Sequence, residues 1–201
     1  MKIMQTGPMT TLTQRIARIT VGLGLAATLA FGAVTSASAD EVTGTSTVTT
    51  GGAISMSLVD TAASFGVTLD GTNKSATDTV GIQVNDNSGS GAGWRLQISS
   101  STFKNAGDTH SLANTGTLSV TGAIFANNGL GTYTPPTNSV NYPLALTQSA
   151  NPIAESLYNA AANTGMGQFI VTPTLKVDIP ANAYADDYTS TVTITLSSGP
   201  N

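Results

Sequence analysis

Apolar and polar positions alternate along much of the chain from residue 54 onward. The alternating apolar sets are Ile54/Met56/Leu58, Phe65/Val67/Leu69, Val80/Ile82/Val84, Trp94/Leu96/Ile98, Leu118/Val120, Leu175/Val177/Ile179 and Val192/Ile194/Leu196. A period of two residues is typical of strands with one buried and one solvated face. Such strands form antiparallel sheets, and two sheets must pack face to face to bury both apolar sides. The pattern therefore predicts an all-β fold, an antiparallel β-sandwich of roughly eight to ten strands.

Turn-forming residues separate the predicted strands. Residues 70–73 (Asp-Gly-Thr-Asn) lie between two of the apolar sets, and residues 85–91 (Asn-Asp-Asn-Ser-Gly-Ser-Gly) lie between two others. Asp, Asn, Ser and Gly favour turns because they form local hydrogen bonds or adopt positive φ. We interpret residues 85–91 as a hairpin loop, and the Pro-containing residues 129–143 as a long exposed loop.

One short helix is predicted over residues 152–162. Asn151 can cap such a helix, and Pro152 suits its first position. Gly165 lies just beyond the predicted end, where helices commonly stop.

The first 39 residues have the pattern of an export signal. Arg15 and Arg18 precede an apolar stretch over residues 19–34, and small residues follow it up to Ala39. This pattern predicts a signal peptide over residues 1–39, with translation starting at Met1 or Met9. An uncleaved anchor is the other interpretation, but the stretch is shorter than the ~20 residues that a spanning helix needs. We expect a Thr-rich lead-in over residues 40–52 and one folded domain over residues 53–201.

Composition and charge narrow the class of protein. Thr, Ser, Gly and Asn make up 88 of the 201 residues and charged residues only 9%, which excludes long charged helices and coiled coils. Without the signal peptide, four basic and eleven acidic residues remain, a net charge of −7. Such a chain has no basic surface to neutralise phosphates, which argues against a nucleic-acid partner. The absence of Cys excludes disulfides and thiol chemistry.

Groups suited to catalysis are few in the sequence. His110 lies in a polar segment, and neither a G-x-S-x-G elbow nor an HExxH motif is present. We interpret His110 as a surface-loop residue. The two glutamates, Glu41 and Glu155, and the scattered aspartates disfavour a paired-carboxylate site. We expect a protein that is not an enzyme and has no cofactor.

Asp78, Asp86 and Asn87 supply the oxygen ligands that hard cations bind, which is one interpretation of these residues as a calcium site. Their spacing matches no EF-hand, and Asp and Asn also occupy turns for backbone reasons alone. The same two interpretations apply to Asp186 and Asp187. We favour solvated turns and expect no metal site.

Trp94 has two interpretations. An indole face can stack on a sugar ring, which would make Trp94 a binding platform. Alternatively, Trp94 fills the core, because it shares parity with Leu96 and Ile98 and should lie on the same face of the sheet. The parity favours the core.

The sequence resembles the WxL-domain family of Gram-positive surface proteins. Trp94-Arg95-Leu96 stands where the family has its first W-x-L motif, and Tyr188 to Leu196 stands where the family has Y-x-x-x-L-T-W-T-L. Ile194 replaces the Trp of that distal motif and Val192 replaces its Leu. Further matching segments are Gln83 to Asn87, Gly91 to Gly93, Phe103, Gly165 to Gly167, Val171 to Pro173, Ile179-Pro180 and Gly199-Pro200.

The resemblance implies a secreted, non-catalytic protein that associates non-covalently with the cell wall, with peptidoglycan as the partner. The motif residues it marks for wall binding are Trp94, Leu96, Tyr188, Ile194 and Leu196. A second hypothesis is a structural subunit of a surface layer, extracellular matrix or fibre, with other surface proteins as partners, because a Thr-rich lead-in can add to the edge of another sheet. Neither hypothesis includes a membrane after signal cleavage, and the oligomeric state stays open.

Overall fold

The structure is a computed structural model that describes residues 19–21, 25–27, 30–31, 44–45, 48, 52–128 and 133–200. The chain divides into two compact units, Met1–Gly51 and Gly52–Asn201. In the first unit, two antiparallel pairs are described: β1 (Ile19–Val21) with β2 (Leu25–Ala27), and β3 (Ala30–Phe31) with β4 (Gly44–Thr45). The predicted cleavage site and most of the lead-in lie outside the described residues, so the signal peptide stays a prediction.

The described residues of the second unit form eleven strands and no helix. They are β5 (Ser55–Leu58), β6 (Lys74–Thr79), β7 (Ile82–Asp86), β8 (Trp94–Ser100), β9 (Lys104–Asn105), β10 (Thr115–Asn127), β11 (Leu144–Thr147), β12 (Glu155–Ala160), β13 (Gly167–Ile179), β14 (Tyr188–Thr189) and β15 (Val192–Ser198). Nothing in the described ranges is a helix of the length and apolar character that crossing a membrane requires.

Two antiparallel sheets make up the sandwich. The larger has six strands, in the order β11-β10-β13-β7-β5 with β6 also paired to β13. The smaller has three strands, in the order β12-β8-β15. The short strands β9 and β14 form a separate pair. The predicted all-β antiparallel sandwich is therefore confirmed.

The long strand β13 organises the larger sheet. It pairs with β10 along one side and with β7 and then β6 along the other, where Phe169 lies opposite Val84 and Val177 opposite Ala76. The β7 and β6 segments are separated at Val80, whose N–H reaches the carbonyl of Pro173 at 3.4 Å. Because β13 is flanked on both sides, its alternate side chains are buried along nearly its whole length.

The core lies between the sheets and follows the alternation of the sequence. Its fully enclosed side chains come from both sheets: Trp94, Leu96, Ile98 and Leu157 from the smaller, and Ile82, Val84, Leu118, Val120, Phe169 and Val171 from the larger. Burying each such side chain contributes about 1.5–3 kcal/mol. The period-two pattern of the sequence thus supplies the main stabilising contacts of the fold.

The predicted helix over residues 152–162 is wrong. Residues Glu155–Ala160 form β12, which pairs with β8 so that Tyr158 lies opposite Leu96 and Ala160 opposite Trp94. The register shifts between Ser156 and Tyr158. Four consecutive residues of β12 are buried, so the strand shows no period of two, and the capping signals misled the prediction.

The hairpin predicted at residues 85–91 is also wrong. β7 belongs to the larger sheet and β8 to the smaller, so the connection between them crosses from one sheet to the other. The carboxylate of Asp86, buried at the start of this connection, accepts hydrogen bonds from the N–H and hydroxyl of Ser88. The turn chemistry was correctly identified, but local turn signals do not state which strand lies beside which.

Two further segments depart from the sequence prediction. Phe65, Val67 and Leu69 are half-buried at alternate positions, as predicted, but residues 61–69 have no ladder partner and form no strand. Residues 133–143 are irregular, as predicted, yet Pro136 is buried and the Tyr142 hydroxyl donates to the carbonyl of Leu157. This segment is therefore packed rather than fully exposed.

Candidate functional site

The strand that carries the first motif, β8, begins at Trp94. We call the end of the sandwich at which Trp94 lies the closed end. The side chain is 0% exposed, and its indole Nε1 donates a 2.9 Å hydrogen bond to the carbonyl of Gly165. The ring stacks against Tyr158 with centroids 6.0 Å apart. The core interpretation of Trp94 is confirmed, because no indole face is available to a sugar.

Gly165 is shaped by this packing. Its φ is +69°, and a Cβ at this position would lie 2.5 Å from the Cβ of Ala160 and 2.6 Å from the Nε1 of Trp94. A residue without a side chain is therefore required for the indole hydrogen bond. The Gly-Met-Gly segment that resembles the family motif thus closes the sandwich over Trp94.

The second motif strand, β15, lies directly beside the first. Ile194 is opposite Ile98 and Leu196 is opposite Leu96. Both β15 side chains point toward the core and are only half-buried, whereas Thr193 and Thr195 are exposed on the outer face. Tyr188 precedes them in β14, also half-buried against the core. The proximal motif and the β15 part of the distal motif thus lie side by side in the smaller sheet, while Tyr188 belongs to the separate β9–β14 pair.

Val192 and Ile194 of β15 line a cleft between the two sheets. We call this the inter-sheet cleft; its volume is about 540 Å³. Its walls include Ile98, Val192 and Ile194 from the smaller sheet, Leu118, Leu175, Val177 and Ile179 from the larger sheet, and the non-strand residues 61–67. Ile194, which replaces the Trp of the distal family motif, is one of these lining residues.

The mouth of the cleft is acidic. Asp60, Asp186 and Asp187 are among its lining residues, which include no Lys or Arg. A 2.7 Å hydrogen bond from the Asn105 side-chain amide lowers the pKa of Asp186, and the backbone N–H of Asp187 and the His110 ring act in the same direction. Asp186 is therefore held as a carboxylate near neutral pH.

His110 lies beside this mouth rather than in a catalytic arrangement. Its ring stacks on Tyr184 with centroids 4.0 Å apart, and Nδ1 is 3.7 Å from an oxygen of Asp186. Its other ring contact is Asn105, with Nδ2 at 3.5 Å. None of these neighbours is a serine, threonine or cysteine nucleophile of the kind a triad requires.

The aspartates that could serve as calcium ligands, Asp78 and Asp86, accept hydrogen bonds from backbone N–H groups. Asp78 accepts hydrogen bonds from the N–H groups of Ser64 and Thr79, both at 2.8 Å, and these bonds lower its pKa. Asp86 holds the turn at Ser88 instead. Across the described ranges, no three His, Asp or Glu side chains are grouped to hold a metal ion.

The sequence analysis identified both motifs, but it predicted neither that the two motif strands pair nor that a cleft lies between the sheets. A signal for it was present in Ile194, which replaces a bulkier family Trp on the inner face. A second signal was the set Phe65/Val67/Leu69, which alternates like a strand although no ladder partner is available to it.

Comparison with known proteins identifies a family for most of the chain. The family model described as "WxL domain surface cell wall-binding" matches residues 20–200. A search of the curated proteins found no match. Among solved structures, the chain is similar to a family 123 glycoside hydrolase from Clostridium perfringens, studied for glycolipid glycan hydrolysis. The two are 18% identical, the match covers 61% of this chain and 18% of that chain, and the TM-score of 0.30 is too low to carry an argument.

The family match extends over most of the chain and includes both motif strands. Its description places such domains at the cell surface, in association with the cell wall. This chain belongs to the WxL domain family of surface proteins that bind the cell wall.

Proposed function

We propose that this protein is exported, is not an enzyme, and attaches non-covalently to the peptidoglycan of a Gram-positive wall. The observation that carries the proposal is the family match over residues 20–200, with both motif strands adjacent in one sheet. Trp94, Leu96, Ile194 and Leu196 contribute by holding that sheet to the core, and Tyr188 of β14 packs against the same core, since each is buried or half-buried.

The surface that we propose for glycan contact is the outer face of the smaller sheet. Thr193 and Thr195 are exposed there, and the alternate residues Gln97 and Ser99 of β8 are half-buried beside them. Hydroxyl and amide groups both donate and accept hydrogen bonds, which suits the many hydroxyls of a glycan. Because this face is uncharged at these positions, binding does not depend on attraction to an anionic wall.

Co-sedimentation of the full exported chain with purified wall sacculi tests the proposal. We expect binding that persists or strengthens as salt is raised, because a chain of net charge −7 is repelled by an anionic wall. Incubation should release no soluble wall fragments. Quantitative release by high salt alone, or digestion of the sacculi, would contradict this function.

A pair of matched variants locates the surface. Thr193→Val with Thr195→Val removes two exposed hydroxyls from β15, whereas Thr77→Val with Thr79→Val removes two exposed hydroxyls from β6 in the other sheet. We expect the first pair to weaken sacculus binding several-fold and the second pair to leave it unchanged. Equal losses of sacculus binding in the two double variants would show that the glycan does not bind at the outer face of the smaller sheet.

Export itself is tested by the mass of the protein recovered from the cell surface. We expect the chain to begin at Asp40, because Ala37 and Ala39 are the small residues that the signal peptidase reads. Recovery of a chain that retains residues 19–34 would contradict a cleaved signal peptide and favour an uncleaved membrane anchor.

A structural subunit is the second candidate, and one edge of the larger sheet favours it. β11 pairs with β10 only as far as Val120, and no described strand pairs with residues 121–126 on that side. Ile124, in this stretch, is 71% exposed. An unpaired apolar edge can add a strand from another chain. Size-exclusion chromatography without wall material distinguishes the two candidates, since a polymer favours assembly and a monomer favours wall binding.

A further inference from the structure

The inner side chains of β15 and β8 differ in burial although the two strands are paired. Leu96 and Ile98 of β8 are 0% exposed, whereas Leu196 and Ile194, directly opposite them, are half-buried. In a sandwich, an inward side chain is covered by the facing sheet and by the next strand of its own sheet. β15 lacks that next strand, because β8 is its only partner among the described residues.

The second edge of β15 is therefore open for pairing within the described part of the chain. A strand pairs through backbone groups on both sides, and an unpaired edge is a template for an added strand. The extended residues 61–67, which also line the inter-sheet cleft, alternate in burial at Ala63, Phe65 and Val67 without a ladder partner. Both features are what a sandwich shows when one strand is missing from its side.

The volume of the inter-sheet cleft fits the side chains of one strand. At about 540 Å³ it is more than three times the ~150 Å³ of an engineered apolar cavity that takes up benzene. A strand presents every second side chain to one face. A short extended peptide with a few branched apolar residues on one face would therefore fill it.

The negative charge at the mouth of the cleft favours a peptide with a basic residue next to its apolar residues. Asp60, Asp186 and Asp187 line the cleft, with no Lys or Arg among the lining residues. The Asp60 carboxylate accepts from the N–H of Gly81 and the Asp186 carboxylate accepts from Asn105, so both are held in place. A lysine or arginine beside the apolar residues would be complementary, and such complementarity chiefly sets specificity and register.

We propose that the inter-sheet cleft binds an extended strand of a partner protein, which pairs with the open edge of β15, buries alternate apolar side chains against Ile194 and Val192, and places a basic residue near Asp186 and Asp187. This is strand addition, in which the backbone supplies affinity and the pockets supply selectivity. It is independent of the wall-binding proposal, which uses the opposite face of the same sheet.

A second copy of this chain is a poorer occupant than a basic partner. The expected exported form carries eleven acidic and only four basic residues, so two acidic mouths would repel one another. An acyl chain would fill the apolar volume but would leave the backbone edge of β15 unpaired. Self-association and lipid uptake are therefore outcomes that the experiment must distinguish.

The probe is a fluorescently labelled peptide with valine and threonine alternating between two terminal lysines, titrated into the full chain and followed by anisotropy. One control peptide carries glutamate in place of both lysines, and another has the same composition with the valines grouped together. We expect the alternating lysine peptide to bind at least about tenfold more tightly than either control. Hydrogen exchange should show new protection of the β15 amides when it binds.

Two tryptophan variants on one strand provide the matched test. Ile194→Trp fills the inter-sheet cleft, whereas Thr193→Trp adds the same bulk to the exposed outer face. The first should weaken peptide binding about tenfold or more and the second should leave it unchanged. Asp187→Asn should weaken it several-fold at low salt and reduce its salt dependence, because Asp60 and Asp186 remain.

The outcomes separate the occupants. Equal binding of all three peptides, or binding without protection of β15, overturns the proposal. Dimerisation that Ile194→Trp abolishes would assign the cleft to a second copy, and displacement of a fluorescent fatty acid without peptide binding would assign it to a lipid. If Ile194→Trp does not fold, the affinities of the lysine and glutamate peptides for the unmodified chain still test whether the cleft binds a basic strand. Sacculus binding by Asp187→Asn should be unaffected, because Asp187 lines the inter-sheet cleft and is not on the outer face of the smaller sheet. Failure here is therefore distinct from failure of the wall-binding proposal.

Discussion

The two ends of the paired strands β8 and β15 are built differently. At the closed end, Trp94 is 0% exposed, donates to Gly165 and stacks on Tyr158. At the open end, Ile194 and Val192 are half-buried along a cleft of about 540 Å³. One strand pair thus carries a fully packed core at one end and an accessible apolar wall at the other.

This difference shows that two halves of a motif need not have the same role. At the closed end the inward side chains Trp94 and Leu96 are 0% exposed, so substitutions of these residues should act through stability. The open end retains apolar surface that folding alone does not bury, and such surface commonly marks binding. If this contrast is correct, substitutions at the closed end should lower stability by much more than substitutions at the open end.

The largest expected effect is that of truncating Trp94. Trp94→Ala should lower the free energy of unfolding by about 3–5 kcal/mol, because it empties a fully buried site. Ile194→Ala, the matched truncation at the open end, should cost only about 1 kcal/mol, since the side chain is already half-exposed. Denaturant titration of both variants measures the difference. Equal losses would mean that the cleft is packed in solution.

The next largest effect is expected at Gly165. Gly165→Ala should cost about 2–4 kcal/mol, because the added methyl group collides with Ala160 and the Trp94 indole at a positive φ. Gly116→Ala is the control, since Gly116 has φ of +78° but no atom within 4 Å of the added Cβ. It should cost only the backbone strain of an L-residue at positive φ, about 1–2 kcal/mol. A similar loss in the two variants would show that the closed end can relax around the methyl group.

A smaller effect is expected from added bulk. Leu96→Trp should lower the free energy of unfolding by about 1–3 kcal/mol, because it overfills the packed end. Ile194→Trp should stay within about 0.5 kcal/mol of the unmodified chain, because the inter-sheet cleft accepts the ring. Thermal melting of both variants tests this. Marked destabilisation by Ile194→Trp would show that the open end has no spare volume.

The smallest effects are those of pH, and they also differ between the ends. Near the cleft, hydrogen bonds lower the pKa values of Asp78 and Asp186 below 3.8 in the folded chain. Their contribution is present above the pKa of the unfolded chain and is lost as pH falls through the folded values. We expect a modest loss of stability below about pH 4. Asp186→Asn should reduce the loss of unfolding free energy at acid pH, measured by denaturant titration. Asp70→Asn changes a residue that does not line the cleft, so it should leave the contribution of Asp186 to that loss intact.

At the closed end the sensitivity is alkaline. Burial raises the pKa of Tyr158 to about 12, and the nearby Tyr142 adds to the shift. The corresponding stability is present below pH 10 and is lost as pH rises toward 12. Tyr158→Phe should reduce this alkaline loss. An unchanged alkaline profile in that variant would contradict the assignment.

The alternation of apolar positions was sufficient to predict most core strands and the burial of Trp94. It failed where burial does not alternate. β12 is buried at four successive residues because it lies between β8 and the packed residues 133–143, and its sequence reads like a capped helix. β6 was missed for the opposite reason, since its Lys-Ser-Ala-Thr-Asp-Thr sequence has almost no apolar face. Strand prediction from alternation requires one wet and one dry side.

The sequence by itself determined which residues face inward, because a period of two assigns alternate side chains to opposite faces whatever the partners are. It also determined the absence of Cys chemistry, the acidic net charge and the family, whose motifs are local. Only the tertiary structure decided which strands pair, that residues 87–93 cross between sheets, and that β15 ends the smaller sheet beside an open cleft. Strand pairing and sheet edges depend on contacts between distant parts of the chain, and a local pattern of side chains does not encode how many neighbours a strand will have.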